Sequence, residues 1–185
     1  MKNIKTYVCN VDKDYFIERT KEYAEGIFKN ALTSPDNFLM VDQIVPSSNI
    51  EDFLPYFNDI KIFLVDRDPR DLYLSEKYVW REGVVPASPE EFVEWYKYCR
   101  KDQKRYIENE NVCFLRFEDM IYDYENTKRK IVRFAGIDEE RHINPLSKFN
   151  PEISKKNTKL YLKYPQEKEN IKIIEERLSE YLYNS

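Results

Sequence analysis

The sequence predicts a three-layer α/β fold in which helices flank a mostly parallel sheet of about three to five strands. Two short apolar runs, at 61–65 and 112–117, do not alternate with polar residues, which is typical of strands buried on both faces. Amphipathic helical segments separate the apolar runs, as expected where helices join parallel strands. The length of 185 residues suits one such domain, so residues 1–185 are expected to form a single domain.

The first third of the chain is divided between predicted strands and helices. Phe16, Tyr23 and Ile27 recur at helical spacing, and a Ser-Pro-Asp-Asn stretch then ends the helix that they predict. β-forming residues dominate the segments on either side of this helix. The predicted elements are a strand at 4–10, a helix at 14–32, a strand at 38–45 and a short helix at 48–57 that Ser48 or Asn49 caps.

The remainder of the chain follows the same alternation. Asp68-Pro69 begins a helix after strand 61–65, because Asp is a good N-cap and Pro fits the first helical turn. Gly136 ends a later helix, at the position where a left-handed residue is common. The predicted elements are a loop at 81–88, a long helix at 88–110, a strand at 112–117, a helix at 123–136, a lysine-bearing loop at 149–165 and a helix at 167–182.

Composition excludes several classes of function. The net charge of −4 argues against wholesale nucleic-acid binding, so any anion site must be local. Only three glycines are present, which rules out glycine-rich phosphate loops such as GxGxxG and GxxxxGK[ST]. The three cysteines show neither zinc spacing nor a disulfide framework, and no metal site is expected. Neither a membrane span nor a signal peptide is apparent, and a cytoplasmic location is the expectation.

The stretch DRDPRDLYLS at 66–75 predicts a phosphate site. Arg67 leaves the strand beside the N-terminus of a helix, where free N–H groups and the helix dipole favour an anion. Ser75 lies two helical turns beyond Asp68, so Arg67 and Ser75 could offer a charged fork and a hydroxyl to one phosphate. The alternative is that Arg67 pairs with Asp66 or Asp71 and that Ser75 is an ordinary helical residue.

Two blocks of the sequence resemble the sulfotransferases that use 3′-phosphoadenosine 5′-phosphosulfate (PAPS). The block KIFLVDRDPRDLYLS is similar to their 3′-phosphate-binding segment, in which an apolar strand precedes Arg-(Asn/Asp)-Pro-Arg-Asp and a later Ser. Arg67 and Ser75 fall on those two positions. The block VCFLRFEDMIYDYENTKRKIVRFAGI is similar to the family's strand–helix stretch that contains Arg-Tyr-Glu-Asp. The resemblance covers residues 38–137 well and the C-terminal part loosely.

The resemblance implies further contacts to the nucleotide. The aromatic residue of the Arg-Tyr-Glu-Asp element lies by the adenine in the family, and Phe117 occupies that position here. A late Arg-Lys-Gly loop contacts the 3′-phosphate in the family. Lys155 and Lys156, in the stretch SKKN, are the corresponding candidates, with Asn157 in place of Gly. A solvated loop is the alternative interpretation of these lysines.

The chain departs from the family at the catalytic groups. Sulfuryl transfer needs a cation at the donor's bridging oxygen, which the family supplies from a Pro-Lys-(Ser/Thr)-Gly-Thr-Thr loop after the first strand. The corresponding stretch, VCNVDKDYF, offers only Lys13, and the loop itself is missing. The family's base is usually a His near the end of the second strand. Asp42 occupies that place, although a strand-end Asp satisfied by backbone donors is an alternative interpretation.

The sequence leaves two functions open and disfavours a third. The first is a PAPS-dependent sulfotransferase that acts on a hydroxyl or amine of a saccharide or small molecule, with the nucleotide donor and an acceptor as its partners. The second is a catalytically degenerate relative that binds 3′-phosphoadenosine 5′-phosphate, or a protein partner, without transfer. The third, a phosphotransferase of related architecture, is disfavoured because no Walker-type loop is present.

Overall fold

The computed structural model describes residues 11–184 with the exception of residues 33, 35, 36 and 82. The chain divides into two compact units, residues 1–60 and residues 61–185. That the whole chain forms a single domain stays a prediction. The strand predicted at 4–10 lies outside the described residues.

The described residues of the first unit contain one long and one short helix. Asp12 caps its long helix by accepting hydrogen bonds from the backbone N–H groups of Asp14 and Tyr15, at 3.0 and 3.1 Å. Phe28, near the end of this helix, stacks on Phe57 with ring centroids 6.1 Å apart. The helices of this unit are α1 (Lys13–Ala31) and the short α2 (Ile50–Phe53), which continues as a 3₁₀ turn at Leu54–Tyr56.

The segment 38–45 is not a strand, contrary to the prediction. Residues 37–46 adopt an irregular path without strand pairing among the residues that the structure describes. The apolar side chains that suggested a strand are exposed, with Met40 94% accessible and Phe38 58% accessible. β propensity describes how well a residue suits a half-buried pleated surface. This segment is mostly exposed and pairs with no strand in the described part of the chain.

The second unit contains a parallel pair of strands, β1 (Ile62–Asp66) and β2 (Val112–Arg116). Ile62 lies opposite Val112 and Asp66 lies opposite Arg116. The parallel sheet and its intervening helices confirm the predicted α/β class. The sheet has two strands among the described residues, fewer than the three to five that the sequence predicted.

Among the described residues, four helices of the second unit match predicted helices, with local differences in length, and two short helices were not predicted: one directly follows β2 and the other lies in the segment predicted as the loop 149–165. The predicted long helix 88–110 ends at Arg100, and a turn and a 3₁₀ segment (Gln103–Tyr106) follow in which Tyr106 is buried. Gly136 ends its helix with φ of 68°, as its position predicted. The helices are α3 (Pro69–Ser75, extended by a π turn at Glu76–Trp80), α4 (Pro89–Arg100), α5 (Phe117–Tyr122), α6 (Tyr124–Ala135), α7 (Pro151–Ser154) and α8 (Lys168–Arg177).

Aromatic and aliphatic side chains of α3, α4 and α8 form the main core of the second unit. Tyr73 of α3 meets Phe92 of α4 edge-on, with ring centroids 5.3 Å apart. Ile174 and Leu178 from α8 and the following residue are completely buried in the same cluster. Burying each such side chain contributes about 1.5–3 kcal/mol, so this packing fixes α3 against its neighbours. The start of α3 thereby becomes a rigid support for Arg67.

Candidate functional site

The turn between β1 and α3 is held by hydrogen bonds from distant parts of the second unit. The Asp68 carboxylate caps α3 by accepting from the backbone N–H of Arg70 at 2.9 Å. The hydroxyl of the buried Tyr96 donates to the carbonyl of Arg67 at 2.9 Å. The backbone N–H of Tyr183 donates to Asp68 at 3.0 Å. Arg67 therefore leaves the strand from a backbone that is fixed on several sides.

The Arg67 guanidinium lies between two aromatic rings. Its Cζ is 4.9 Å from the centroid of Phe117 and 5.4 Å from that of Trp80. Such cation–π contacts hold a guanidinium plane in a defined orientation. Trp80 belongs to the π turn that prolongs α3 beyond Ser75, so the Arg67 side chain extends along the helix toward its C-terminal end.

Arg67 also contacts the late lysine-bearing segment. Its Nη2 donates to the backbone carbonyl of Asn157 at 2.5 Å. Its Nε is buried and has no hydrogen-bond partner among the described residues. Burial lowers the pKa of Arg67, and the carboxylates of Asp71, Glu118 and Asp68 oppose that shift. An arginine remains charged despite such a shift, so an unpaired cationic N–H is buried at this position.

Asp71 attaches the late segment to α3. Its two carboxylate oxygens accept hydrogen bonds from the backbone N–H groups of Lys159 and Leu160, both at 2.7 Å. Lys159 adopts a left-handed conformation with φ of 53°, which turns both N–H groups toward the carboxylate. Burial and the neighbouring Asp68 raise the pKa of Asp71 to about 6, against the lowering effect of the two backbone donors.

Glu118 joins the two strand ends. Its Oε1 accepts from the backbone N–H of Asp68 at 2.8 Å, which links the second residue after β2 to the second residue after β1. Its Oε2 lies 3.5 Å from Arg116 Nε but forms no hydrogen bond, so that contact is a charge interaction without hydrogen-bond alignment. Burial raises the pKa of Glu118. The buried carboxylates of Asp68, Asp71 and Glu118 thus each accept hydrogen bonds from backbone N–H groups and hold the surrounding segments together.

Several residues that the sequence predicted for one site lie together in the second unit. The guanidinium of Arg67, the ring of Phe117 and the carbonyl of Asn157 are in direct contact. Lys155 and Lys156 belong to the same 3₁₀ turn as Asn157 and are exposed. Phe117 begins α5, one residue beyond the end of β2. The phosphate roles of Arg67, Lys155 and Lys156 and the adenine role of Phe117 stay predictions.

Of the three remaining predicted site residues, Ser75 lies in the second unit, and Lys13 and Asp42 lie in the first. Ser75 is the last residue of α3 and is 1% accessible. Lys13 is the first residue of α1 and is exposed. Asp42 is exposed in the irregular segment of the first unit. Whether these three residues contact a substrate stays a prediction.

Sequence reasoning missed the contribution of Trp80 and the structural role of Asp71. Trp80 is 47% accessible although it contacts Arg67, and it lies 13 residues further along the chain, so no local pattern indicated the contact. The Asp71 side chain was considered only as a partner for Arg67. Its actual partners, Lys159 and Leu160, are 88 and 89 residues away in sequence, and no local pattern connects them.

The described residues contain neither a candidate transmembrane helix nor a cluster of metal-ligating side chains. No helix in the described part of the chain is both long and apolar enough to cross a bilayer. The same residues contain no group of three or more His, Cys, Asp or Glu side chains that could hold a metal ion. The described residues are 11–184 without residues 33, 35, 36 and 82.

Comparison with protein families gives one match. A family model described as "Sulfotransferase domain" matches residues 49–179, well over half of the chain. The matched range contains Arg67, Phe117 and the turn at Lys155–Asn157. Searches of curated proteins and of solved structures found no significant match. The family match covers both blocks whose residues meet at Arg67, and the chain therefore belongs to the PAPS-dependent sulfotransferase family.

Proposed function

We propose that the protein transfers a sulfuryl group from PAPS to a hydroxyl or amine of a saccharide or small molecule. The observation that carries this proposal is the meeting of Arg67, Phe117 and the Lys155–Asn157 turn. These three elements come from distant parts of the sequence, and the resemblance assigns each of them to the same nucleotide. Family membership supports sulfuryl transfer in general, and the acceptor class is part of the proposal.

Arg67 supplies the charge that would hold the 3′-phosphate. Its buried Nε–H has no partner among the described residues, and a phosphate oxygen would supply one. The exposed ammonium groups of Lys155 and Lys156 add positive charge on the adjoining turn. The Ser75 hydroxyl would add a neutral donor from α3, and the Phe117 ring would pack beside the adenine.

The neighbouring carboxylates do not compete with a phosphate for these donors. Asp71 accepts two backbone N–H groups, and Asp68 accepts two guanidinium N–H groups of Arg70 at 3.0 and 2.7 Å. Arg70 also pairs with Glu175 at 2.9 Å and lies over the ring of Tyr161. The second arginine of the segment therefore has a structural role, which leaves Arg67 as the phosphate ligand of the pair.

The reaction itself requires a cation and a base. We assign Lys13 to the developing charge on the donor's bridging oxygen and Asp42 to the acceptor's proton, as stand-ins for the family's groups. Both side chains are exposed. PAPS supplies an activated sulfuryl group when bound, and the protein's own contribution is to orient that donor and to exchange the proton.

A second candidate function is nucleotide binding without transfer. The observation that favours it is the missing Pro-Lys-(Ser/Thr)-Gly-Thr-Thr motif in the printed sequence. Such a protein would bind 3′-phosphoadenosine 5′-phosphate, or a protein partner, through the same strand ends. The two functions share the Arg67 site and differ only in turnover.

Titration calorimetry with 3′-phosphoadenosine 5′-phosphate tests the site that both functions share. We expect the wild type to bind and Arg67→Ala to bind at least tenfold more weakly, because a charge-assisted hydrogen bond contributes about 1.5–3 kcal/mol. The matched control is Arg177→Ala, which removes an arginine whose pairing with Glu94 is on the surface. Ser75→Ala provides a second variant if Arg67→Ala unfolds. No binding by the wild type would contradict both functions as nucleotide-binding functions.

A further inference from the structure

A groove beside β2 has an apolar floor. It has a volume of about 1060 Å³ and lies against the first three residues of the strand. Val112, Phe114 and Phe134 form part of the floor, and Ile107, which is 65% accessible, forms part of one wall. The Arg67 site lies beyond the other end of the strand, so the groove is a separate feature.

The groove runs along an edge of β2 that no strand occupies among the described residues. The Ile62 N–H donates to the Asn111 carbonyl at 2.8 Å, which fixes the pairing phase of the parallel strands. Asn111 and Cys113 therefore direct their backbone groups toward β1, and Val112 and Phe114 direct theirs outward. The outward direction agrees with the Val112 N–H, which donates to the Asn109 carbonyl at 3.0 Å.

Two outward backbone groups are positioned for an added strand. They are the Val112 carbonyl and the Phe114 N–H, which face the groove. The Phe114 carbonyl instead accepts from Lys130 Nζ at 2.6 Å. A lysine at this place can protect an edge from pairing, and it can also donate to a carboxylate that enters the groove. The charge of the other lining residues decides between these two roles.

The rim of the groove is cationic. Four basic residues line it, and none of its lining residues is acidic. Arg129 donates a hydrogen bond to the Asn126 side chain. Lys104 forms an exposed ion pair with Glu180, and a carboxylate of a bound peptide can replace Glu180 in that pair. This local charge contrasts with the net charge of −4 of the whole chain. The basic residues are Lys104, Arg129, Lys130 and Arg133.

We propose that the groove binds an acidic peptide segment of a partner protein, which adds as an extended strand to the free edge of β2. Backbone pairing with Val112 and Phe114 would provide affinity, and alternate apolar side chains would contact the floor. Acidic residues of the peptide would pair with the cationic rim, which supplies the complementarity that selects this class of partner. The proposal is independent of nucleotide binding at Arg67.

The test uses a fluorescein-labelled heptapeptide in which Glu and Val alternate, with fluorescence anisotropy as the readout. We expect saturable binding that weakens at least tenfold in the double variant Arg129→Glu/Arg133→Glu. Both arginines are exposed on α6, so the variant should keep the wild-type circular dichroism spectrum. A peptide of the same charge with Pro at its centre should bind at least tenfold more weakly, because Pro interrupts strand pairing.

Amide hydrogen exchange of Phe114 separates strand addition from adhesion by charge alone. The peptide should slow this exchange at least tenfold, and the Pro-containing peptide should not. Absence of binding would overturn the proposal and assign Lys130 to edge protection. Equal binding of the two peptides, or tighter binding of a sulfated oligosaccharide without protection of Phe114, would also overturn it in favour of a polyanion site. Because this test contains no nucleotide, its outcome is distinct from that of the Arg67 test.

Discussion

At the scale of single residues, the site depends on buried charges that each have defined partners. Arg67 lies between two aromatic rings, and Asp71 accepts two backbone N–H groups of the late segment. Removing one member of such a set leaves the others buried without compensation, which costs more than the contact itself contributes. Asp71 is the clearest case, because it connects α3 to the segment that adjoins Arg67.

Asp71→Asn should flatten the pH dependence of stability in the second unit. The folded-state pKa of about 6 lies above the ordinary value of 3.8, so protonation of Asp71 favours the folded form. The resulting stability is fully present below pH 4 and is lost as the pH rises through 6. This contribution reaches about 3 kcal/mol, and the Asn variant lacks it.

Urea unfolding between pH 4 and pH 7.5 measures the effect of Asp71→Asn. Both tryptophans, Trp80 and Trp95, lie in the second unit and report on its unfolding. The comparison uses the slope of unfolding free energy against pH, because Asn also alters the hydrogen bonds to Lys159 and Leu160 at every pH. Equal slopes in wild type and variant would show that Asp71 does not titrate in this range.

At the scale of secondary structure, helix ends position the functional residues. Gly136 ends α6 in a left-handed conformation, and the Ile137 N–H then donates to the Val132 carbonyl at 3.0 Å. Asp68 similarly begins α3 and determines where Arg67 leaves the backbone. These ends are local features, so the sequence predicted both of them.

Glycine substitutions at two positions should have opposite effects. Gly136→Ala should destabilise the second unit by about 1 kcal/mol, because φ of 68° is unfavourable for alanine. Gly26→Ala, within α1, should stabilise that helix by about 0.5–1 kcal/mol. A Cβ would meet no atom within 4 Å at either position, so sterics do not confound the comparison.

Two optical probes distinguish the effects of these substitutions. Tryptophan fluorescence during urea unfolding reports on Gly136→Ala, and the far-ultraviolet circular dichroism of α1 reports on Gly26→Ala. The helical signal should melt at a higher temperature in Gly26→Ala than in wild type. A stabilising effect of Gly136→Ala would contradict the left-handed helix end.

At the scale of the whole molecule, the residues assigned to nucleotide binding and those assigned to the reaction belong to different units. The residues assigned to the nucleotide lie in the second unit, and those assigned to the reaction, Lys13 and Asp42, lie in the first. The family match begins at residue 49, so it includes the nucleotide residues and neither of the catalytic assignments. The nucleotide site consequently has stronger support than the catalytic pair.

Turnover with PAPS tests the catalytic assignment. We expect slow transfer by the wild type, because the printed sequence lacks the family's phosphosulfate loop, and a further loss of at least tenfold in Lys13→Ala. The measurement is the release of 3′-phosphoadenosine 5′-phosphate in the presence of a panel of saccharides and amines. Lys29→Ala is a matched control, since Lys29 is exposed near the other end of α1. Transfer that is unchanged in Lys13→Ala would place the cation elsewhere.

The sequence alone determined the α/β class, the Asp68 and Gly136 helix ends, and the resemblance that joins Arg67 to Phe117. These features depend on local residue order, and a short pattern contains all of that information. The prediction of a strand at 38–45 was wrong because β propensity is a local property, whereas a strand also needs a partner strand elsewhere in the chain. The helix at 88–110 was predicted too long, since the structure ends it at Arg100 and places the buried Tyr106 in a separate 3₁₀ segment.

Only the tertiary structure decided what surrounds Arg67. Trp80 packs against the Arg67 guanidinium, and the Asn157 carbonyl accepts a hydrogen bond from it. The backbone N–H groups of Lys159 and Leu160 donate to Asp71. The paired residues are between 13 and 90 positions apart in the sequence. Contacts over such separations depend on how helices pack and on which buried polar groups remain to be satisfied. Burial makes each unpaired group costly, so the folded chain selects partners that sequence spacing does not specify.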